Sequence, residues 1–256
     1  MIAYITTLLI IMLLYMTLWF GISVIQKRSD VADIAWGLGF VLIAWSAYYL
    51  VQAPGWLAPF INILVTIWGL RLSIHIYLRN RHKTEDKRYT EMRAKWGGSM
   101  YLQSYIRIFL GQGILLLLIS TPVILANLIE SHEIMPRQYI GIAIWLIGFL
   151  FESIGDWQLS RFMRNPANKG KLMTTGLWRY TRHPNYFGEV IQWWGIWFTT
   201  LVLPEFLIGV IGPATITILI LKVSGIPLLE TKMKANPQFA EYAQKTSEFW
   251  PLPPRR

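Results

Sequence analysis

Seven stretches of this chain are each apolar over about 20 residues, the length that crosses the hydrocarbon core of a bilayer. They run roughly over 2–25, 33–51, 56–78, 104–128, 139–160, 184–203 and 205–226. Lipid offers no hydrogen-bond partners to a backbone, so apolar runs of this length are stable there only as helices. The expected fold is all-α: a polytopic bundle of seven transmembrane helices with short cytoplasmic interfacial helices, in one membrane domain over 1–256. The first stretch lacks a basic leader and a small-residue cleavage site, and reads as a retained anchor. Pro122 predicts a kink or an early end in the fourth.

Lys and Arg set the expected orientation. Lys27 and Arg28 follow the first stretch, nine basic residues lie between Arg71 and Arg107, six between Arg161 and Arg182, and six from Lys222 onward. Only Arg137 falls on the opposite side, so 23 of the 24 share one face. The positive-inside rule makes that face cytoplasmic, with the amino terminus outside and the carboxyl terminus inside. The external links, Gln52–Gly55 and Leu203–Glu205, are short and carry no basic residue. The formal charge of +10 follows from topology and anionic lipid, and no nucleic-acid motif accompanies it. With no cysteine, disulfides and thiolate metal sites are excluded. The histidines at 75, 82, 132 and 183 have no i,i+3 or i,i+4 pairing and no H-E-x-x-H, so no metal site is expected. His132 falls in an external loop.

Polar residues recur on single helix faces inside the stretches, where neighbours stand three or four residues apart. The fifth carries Glu152, Asp156 and Ser160; the sixth carries Asn185, Glu189 and Gln192; the third carries Arg71, His75 and Arg79; the second opens on Asp33. Glu152 lies about 13 Å before Arg161 along a helix. All fall in the cytoplasmic half, and the outer halves hold no acid or base. A lone charge at mid-bilayer costs at least about 2.5–3.5 kcal/mol on insertion scales. One cytoplasmic polar cavity is the simplest arrangement that tolerates so many. Structural ion pairs, such as Arg71 with Glu152 or Asp156, are the alternative.

Between the stretches, Thr84 is a candidate cap for a short helix with Glu85 and Asp86 in its first turn. Tyr89, Met92 and Trp96 share its apolar face, and Gly97-Gly98 ends it. It reads either as an interfacial helix or, with Arg79, Asn80, Lys87 and Arg88, as a cover for a phosphate-bearing cofactor. The 161–183 loop has the charge of an anion cradle, and Pro184 suits a first helical turn. Neither G-x-G-x-x-G nor G-x-x-x-x-G-K-[ST] occurs, so a Rossmann domain and a P-loop are unsupported. A further helix is expected from Asn236-Pro237 to Lys245, and Glu230 reads as a solvated carboxylate or, alternatively, one that reaches the cavity mouth.

The run Gly176-Leu-Trp-Arg-Tyr-Thr-Arg-His-Pro-Asn-Tyr-Phe-Gly-Glu189, with Glu152-x-x-x-Asp156 upstream, resembles the carboxyl-terminal region of steroid 5α-reductases. Asp33-Ile-Ala-Trp-Gly, Trp68-Gly-Leu-Arg71 and Arg79-Asn80…Arg88-Tyr89 resemble the bacterial branch, whose setting is the inner membrane. The resemblance implies NADPH, reduction of a carbon–carbon double bond conjugated to a carbonyl, and a hydrophobic substrate. Carried onto this chain, it implies that Asp156, Asn185 and Glu189 hold the cofactor. Arg71, Arg164 and Lys171 fall near family residues that meet it, and Glu152, Arg182, His183 and Tyr186 belong to the same motifs. The family polarises its substrate ketone with a Tyr and a Gln-Glu pair that this chain does not match; Trp68 falls near that Tyr. Asp33 and His75 are the nearest proton donors, and such a donor is worth about 3–4 kcal/mol at a developing oxyanion.

The Arg182-His183-Pro184-Asn185-Tyr186-Phe187-Gly188 element is also similar to that of isoprenylcysteine and phospholipid methyltransferases, which use S-adenosylmethionine. Those enzymes add a Glu-Glu pair after the last span, where this chain has Glu230-Thr231. A non-enzymatic lipid-binding or transport protein is a third reading, although a path needs polar groups through the outer half too.

Overall fold

The computed structural model describes residues 1–51, 54–129, 135–201 and 206–255. His132, the Leu203–Glu205 link and part of the Gln52–Gly55 link therefore lie outside the described residues. The chain clusters into two compact units, Met1–Glu133 and Ile134–Arg256.

Unit 1 contains α1 (Ile2–Gln26), α2 (Val31–Tyr49), α3 (Leu57–Asn80), α4 (Lys87–Trp96), α5 (Met100–Ser104), α6 (Gly111–Ile119) and α7 (Thr121–Asn127). Unit 2 contains α8 (Pro136–Arg164), α9 (Pro184–Thr199), α10 (Phe206–Gly209), α11 (Ile211–Ile218), α12 (Ile226–Met233) and α13 (Phe239–Lys245). Among the described residues no strand forms; one isolated bridge joins Thr181 and Ser247. This is the architecture of a multi-pass integral membrane protein. Six helical segments are long and apolar enough to cross a membrane: Ile2–Gln26, Val31–Tyr49, Leu57–Asn80, Lys87–Ile119, Pro136–Arg164 and Leu207–Met233. The remaining expected span forms α9, whose 16 residues rise about 24 Å.

Two of the long segments are not uniform. Single π-helical stretches, Tyr105–Leu110 and Leu219–Val223, interrupt them. The break expected at Pro122 occurs at Ser120, and Pro122 opens α7 where its missing N–H has no helical partner to lose.

Glycines set the helix crossings. A Cβ on Gly37 of α2 would stand 2.4 Å from the Gly69 carbonyl of α3. In unit 2, Gly141, Gly148 and Gly155 recur every seven residues along α8 and meet Gly195, Gly188 and Pro184-Asn185 of the antiparallel α9. That repeat keeps one seam facing one partner. Gly141 and Gly148 thus serve packing inside the unit.

One polar pair holds α3 to α7. Asn62 and Asn127 are wholly buried and exchange amide hydrogen bonds of 3.0 and 3.1 Å, while Asn62 also donates to Ala44 O. Replacing Asn62 with Leu leaves the Asn127 amide oxygen without that donor, while its Nδ2 keeps Val123 O, and is expected to cost about 1–3 kcal/mol. The Asn62→Leu/Asn127→Leu pair is expected to recover much of that loss in detergent melting.

Candidate functional site

The start of α9 is fixed before its polar face is presented. Trp178 Nε1 donates to Gly155 O of α8 at 3.1 Å, and the Tyr242 hydroxyl donates to Trp178 O at 2.5 Å. Burial pushes the Tyr242 phenol up, which keeps it a donor. Arg182 N donates to Ser247 O at 2.8 Å, so the chain enters Pro184 along a strand-like contact.

From there α8 and α9 share two polar rungs. Asn185 Nδ2 donates to Asp156 Oδ1 at 3.1 Å, and Gln192 Nε2 donates to Glu152 Oε2 at 2.5 Å. Glu152 and Gln192 are 2% and 1% exposed, against the expectation that water would solvate this stripe. The glycine seam explains the register: with Gly148 against Gly188, residues one turn further on each helix meet side by side. Glu189 lies between the rungs in sequence, half-buried, next to Gly188. Asp156, Asn185 and Glu189, expected together, are therefore brought to one end of one helix pair.

Beyond the rungs the basic residues diverge. Arg161, Arg164, Lys169 and Lys171 are exposed at the end of α8 and in the loop after it. Arg161 lies 5.5 Å from the Trp157 ring centroid, and both border a hollow of about 370 Å³ that Gln158, Asn165 and Thr175 also line. Gln158 and Asn165 are held by local bonds, Leu177 N to Gln158 Oε1 at 3.0 Å and Ala167 N to Asn165 Oδ1 at 3.0 Å.

Arg182 and His183, expected at the cofactor, are buried and turned onto a carboxylate of the chain itself. Arg182 Nε donates to Glu230 Oε1 at 2.7 Å and its Nη1 to Thr246 O at 2.7 Å. His183 Nε2 stands 3.1 Å from the same Glu230 oxygen, and its ring stacks on Tyr186 with centroids 5.7 Å apart. The physical reason is that Glu230, expected in solvent, is only 9% exposed and draws both groups to it. Glu230 was missed because its partners lie 47 and 48 residues away in sequence.

Unit 1 carries its own cluster. Asp33, in the first turn of α2, accepts from the Tyr89 hydroxyl at 2.5 Å and from Arg88 Nη2 at 3.4 Å. Asp86, not Thr84, caps α4, accepting from Arg88 N at 2.9 Å. Glu85 accepts from Ser29 N at 2.6 Å and from Thr90 and Arg93 of α4, joining the α1–α2 turn to that helix. Arg28 holds Asp30 through two bonds of 2.9 and 2.8 Å, and Asp86 N donates to Asp30 at 3.3 Å. The α1–α2 turn is thus clamped to the start of α4, and Gly97 ends α4 at φ 50° as expected. Arg71 and His75 are half-buried on α3, and Arg79 donates to Asn80 at 3.3 Å at its exposed end. Tyr89 sat on the expected apolar face; its hydroxyl partner 56 residues back gave no local signal.

Comparison with known proteins agrees with this architecture. An uncharacterized protein of Schizosaccharomyces pombe is 24% identical over 287 residues, covering 97% of this chain and 79% of that protein. The 3-oxo-5-alpha-steroid 4-dehydrogenase 1 of Bos taurus is 44% identical over 61 residues, 23% of each chain. A probable O-methyltransferase of Ustilaginoidea virens is 38% identical over 56 residues, 21% of this chain and 20% of that protein. The chain therefore spans about a quarter or less of the two relatives that carry an activity in their names. No solved structure matches. The profile of a protein family of unknown function, DUF1295, matches residues 19–246, and with this run of helices and the steroid-reductase-like start of α9 the chain belongs to that family.

Proposed function

We propose that this chain is a membrane-embedded, NADPH-dependent reductase of a carbon–carbon double bond conjugated to a carbonyl, in a steroid-like, isoprenoid or lipid substrate. The observation that carries the reading is the Asp156–Asn185 rung, with Glu189 one turn on, in a chain similar at 44% over 61 residues to a steroid dehydrogenase. The donor set fits such a cofactor. Carboxylates and amides match ribose hydroxyls and a carboxamide, and Arg161, Arg164 and Lys171 at the exposed end of the same unit match phosphates. Arg71, Arg79 and Asn80 remain candidates for further phosphate contacts.

NADPH, when bound, supplies the hydride. This chain's residues then have three tasks. Asp156 and Asn185 orient the cofactor, and their mutual bond pre-sets that orientation. The apolar helix surfaces keep water from the reacting carbon. A proton donor meets the charge that develops on the carbonyl oxygen. For that donor we keep the sequence expectation, Asp33 or His75, both of unit 1; Asp33 accepts from the Tyr89 hydroxyl at 2.5 Å. The Lys/Arg bias supports a reading in which these groups face the cytoplasmic side of a bacterial inner membrane.

Methyl transfer from S-adenosylmethionine is a second reading, favoured by the O-methyltransferase match. Melting in detergent separates the two. On the reductase reading, NADPH at 100 times its Kd stabilises the protein by about 2.7 kcal/mol and S-adenosylmethionine does nothing. Asp156→Ala loses most of that shift. Asp33→Asn keeps it yet reduces enone turnover by roughly 10²–10³. Stabilisation by S-adenosylmethionine alone refutes reduction; stabilisation by neither returns the non-enzymatic reading.

A further inference from the structure

Where α1 ends, unit 1 encloses a hollow of about 170 Å³. Ser23, Ser29 and Ser104 line it and are 5%, 2% and 4% exposed. Their hydroxyls put three hydrogen-bonding groups around one space, which suits a polar occupant.

The charge of the walls narrows the choice. Lys27 and Arg93 both border the hollow, and only Arg93 has a carboxylate, Glu85. Lys27 is the C-cap of α1 with φ 55°, the only described non-glycine residue with positive φ. Glycine takes such a position with less strain, so the lysine side chain is retained against the backbone's preference. A net cation with three hydroxyls suits a phosphate. The volume is below the roughly 300–1,000 Å³ of sites for drug-sized ligands, which excludes a whole nucleotide.

Placement decides the source. Lys27 follows directly on a 25-residue apolar helix, so it stands at headgroup level. Phe20 contributes apolar wall about two turns deeper, and an open depression of about 780 Å³ shares Lys27 and Arg93. We propose that this hollow binds the phosphate of an acidic phospholipid headgroup, through Lys27, Arg93 and the three serine hydroxyls. It is separate from the rungs of unit 2 and independent of the reaction assigned above.

Native mass spectrometry of the full chain in detergent tests it, with phosphatidylglycerol, phosphatidylcholine and glycerol 3-phosphate as probes. Phosphatidylglycerol is retained over phosphatidylcholine, whose choline opposes the cations. Lys27→Gly lowers that retention about five-fold, the effect of one headgroup-level cation. Its lipid-free melting temperature stays level or rises, because glycine prefers this backbone. Ser23→Ala/Ser104→Ala lowers retention without touching charge, and serves if Lys27→Gly does not fold. Equal retention by wild type and both variants, or of both lipids, overturns the site. Displacement by glycerol 3-phosphate at matched concentration overturns the lipid source and assigns a soluble phosphate.

Discussion

Glu230→Ala is expected to destabilise unit 2 by about 3–5 kcal/mol, the loss seen when one member of a buried ion pair is removed. The Glu230 side chain is 12% exposed, Arg182 9% and His183 1%. Without the carboxylate, the guanidinium keeps its bonds to Thr246 O at 2.7 Å and Ala243 O at 3.3 Å but loses its only close anion; Glu248 is 3.8 Å away and exposed. The loss is expected to be read twice. Melting in detergent falls, and protease cuts within residues 245–255 appear early, because Thr181–Ser247 and Arg182–Ser247 anchor that segment. Glu230→Gln retains an acceptor and falls between. Glu230→Leu with Arg182→Met recovers most of the stability, since apolar replacements of a whole buried pair are often neutral. Full stability of Glu230→Ala would show the carboxylate to be idle.

Gly188→Ala is expected to cost about 1–3 kcal/mol, with Gly188→Val worse. A methyl there would stand 2.4 Å from both Glu152 N and Gly148 O, backbone atoms that move only if the helices part. Parting them lengthens the Asp156–Asn185 and Glu152–Gln192 bonds together, so any cofactor-induced melting shift falls as well. Gly21→Ala is the control. Nothing lies within 4 Å of a Cβ there, in the C-terminal part of α1 before its last turn, and alanine in a helix interior gains about 0.5–1 kcal/mol. Opposite signs at two helical glycines are the expected pattern, and equal small changes would contradict the seam.

The helices and stripes were legible because both are local. Twenty apolar residues announce a span, and Glu152 with Asp156, or Asn185 with Glu189, share a face by arithmetic alone. Pairing across helices was not legible. Glu152 meets Gln192, and Asp156 meets Asn185, because Gly148 and Gly188 set the register, and a periodicity within one helix carries no information about its neighbour. Arg182 and His183 looked like anion ligands because charge was all that their sequence offered; Glu230, 48 residues on from Arg182, decided otherwise. Thr84 was the expected cap, but Asp86 stands where its carboxylate reaches the Arg88 amide. The π-helical stretches Tyr105–Leu110 and Leu219–Val223 left no local mark at all.

The bonds from Arg182 to Ala243, Thr246 and Ser247 span 61 to 65 positions. A ribosome must therefore add the whole of α10 through α13 before the entrance to α9 acquires its clamp. Until Glu230 in α12 is made, a growing polypeptide also carries an uncompensated guanidinium beside an apolar span. Stalled or prematurely released chains that stop before Glu230 should be cleared more rapidly than completed ones.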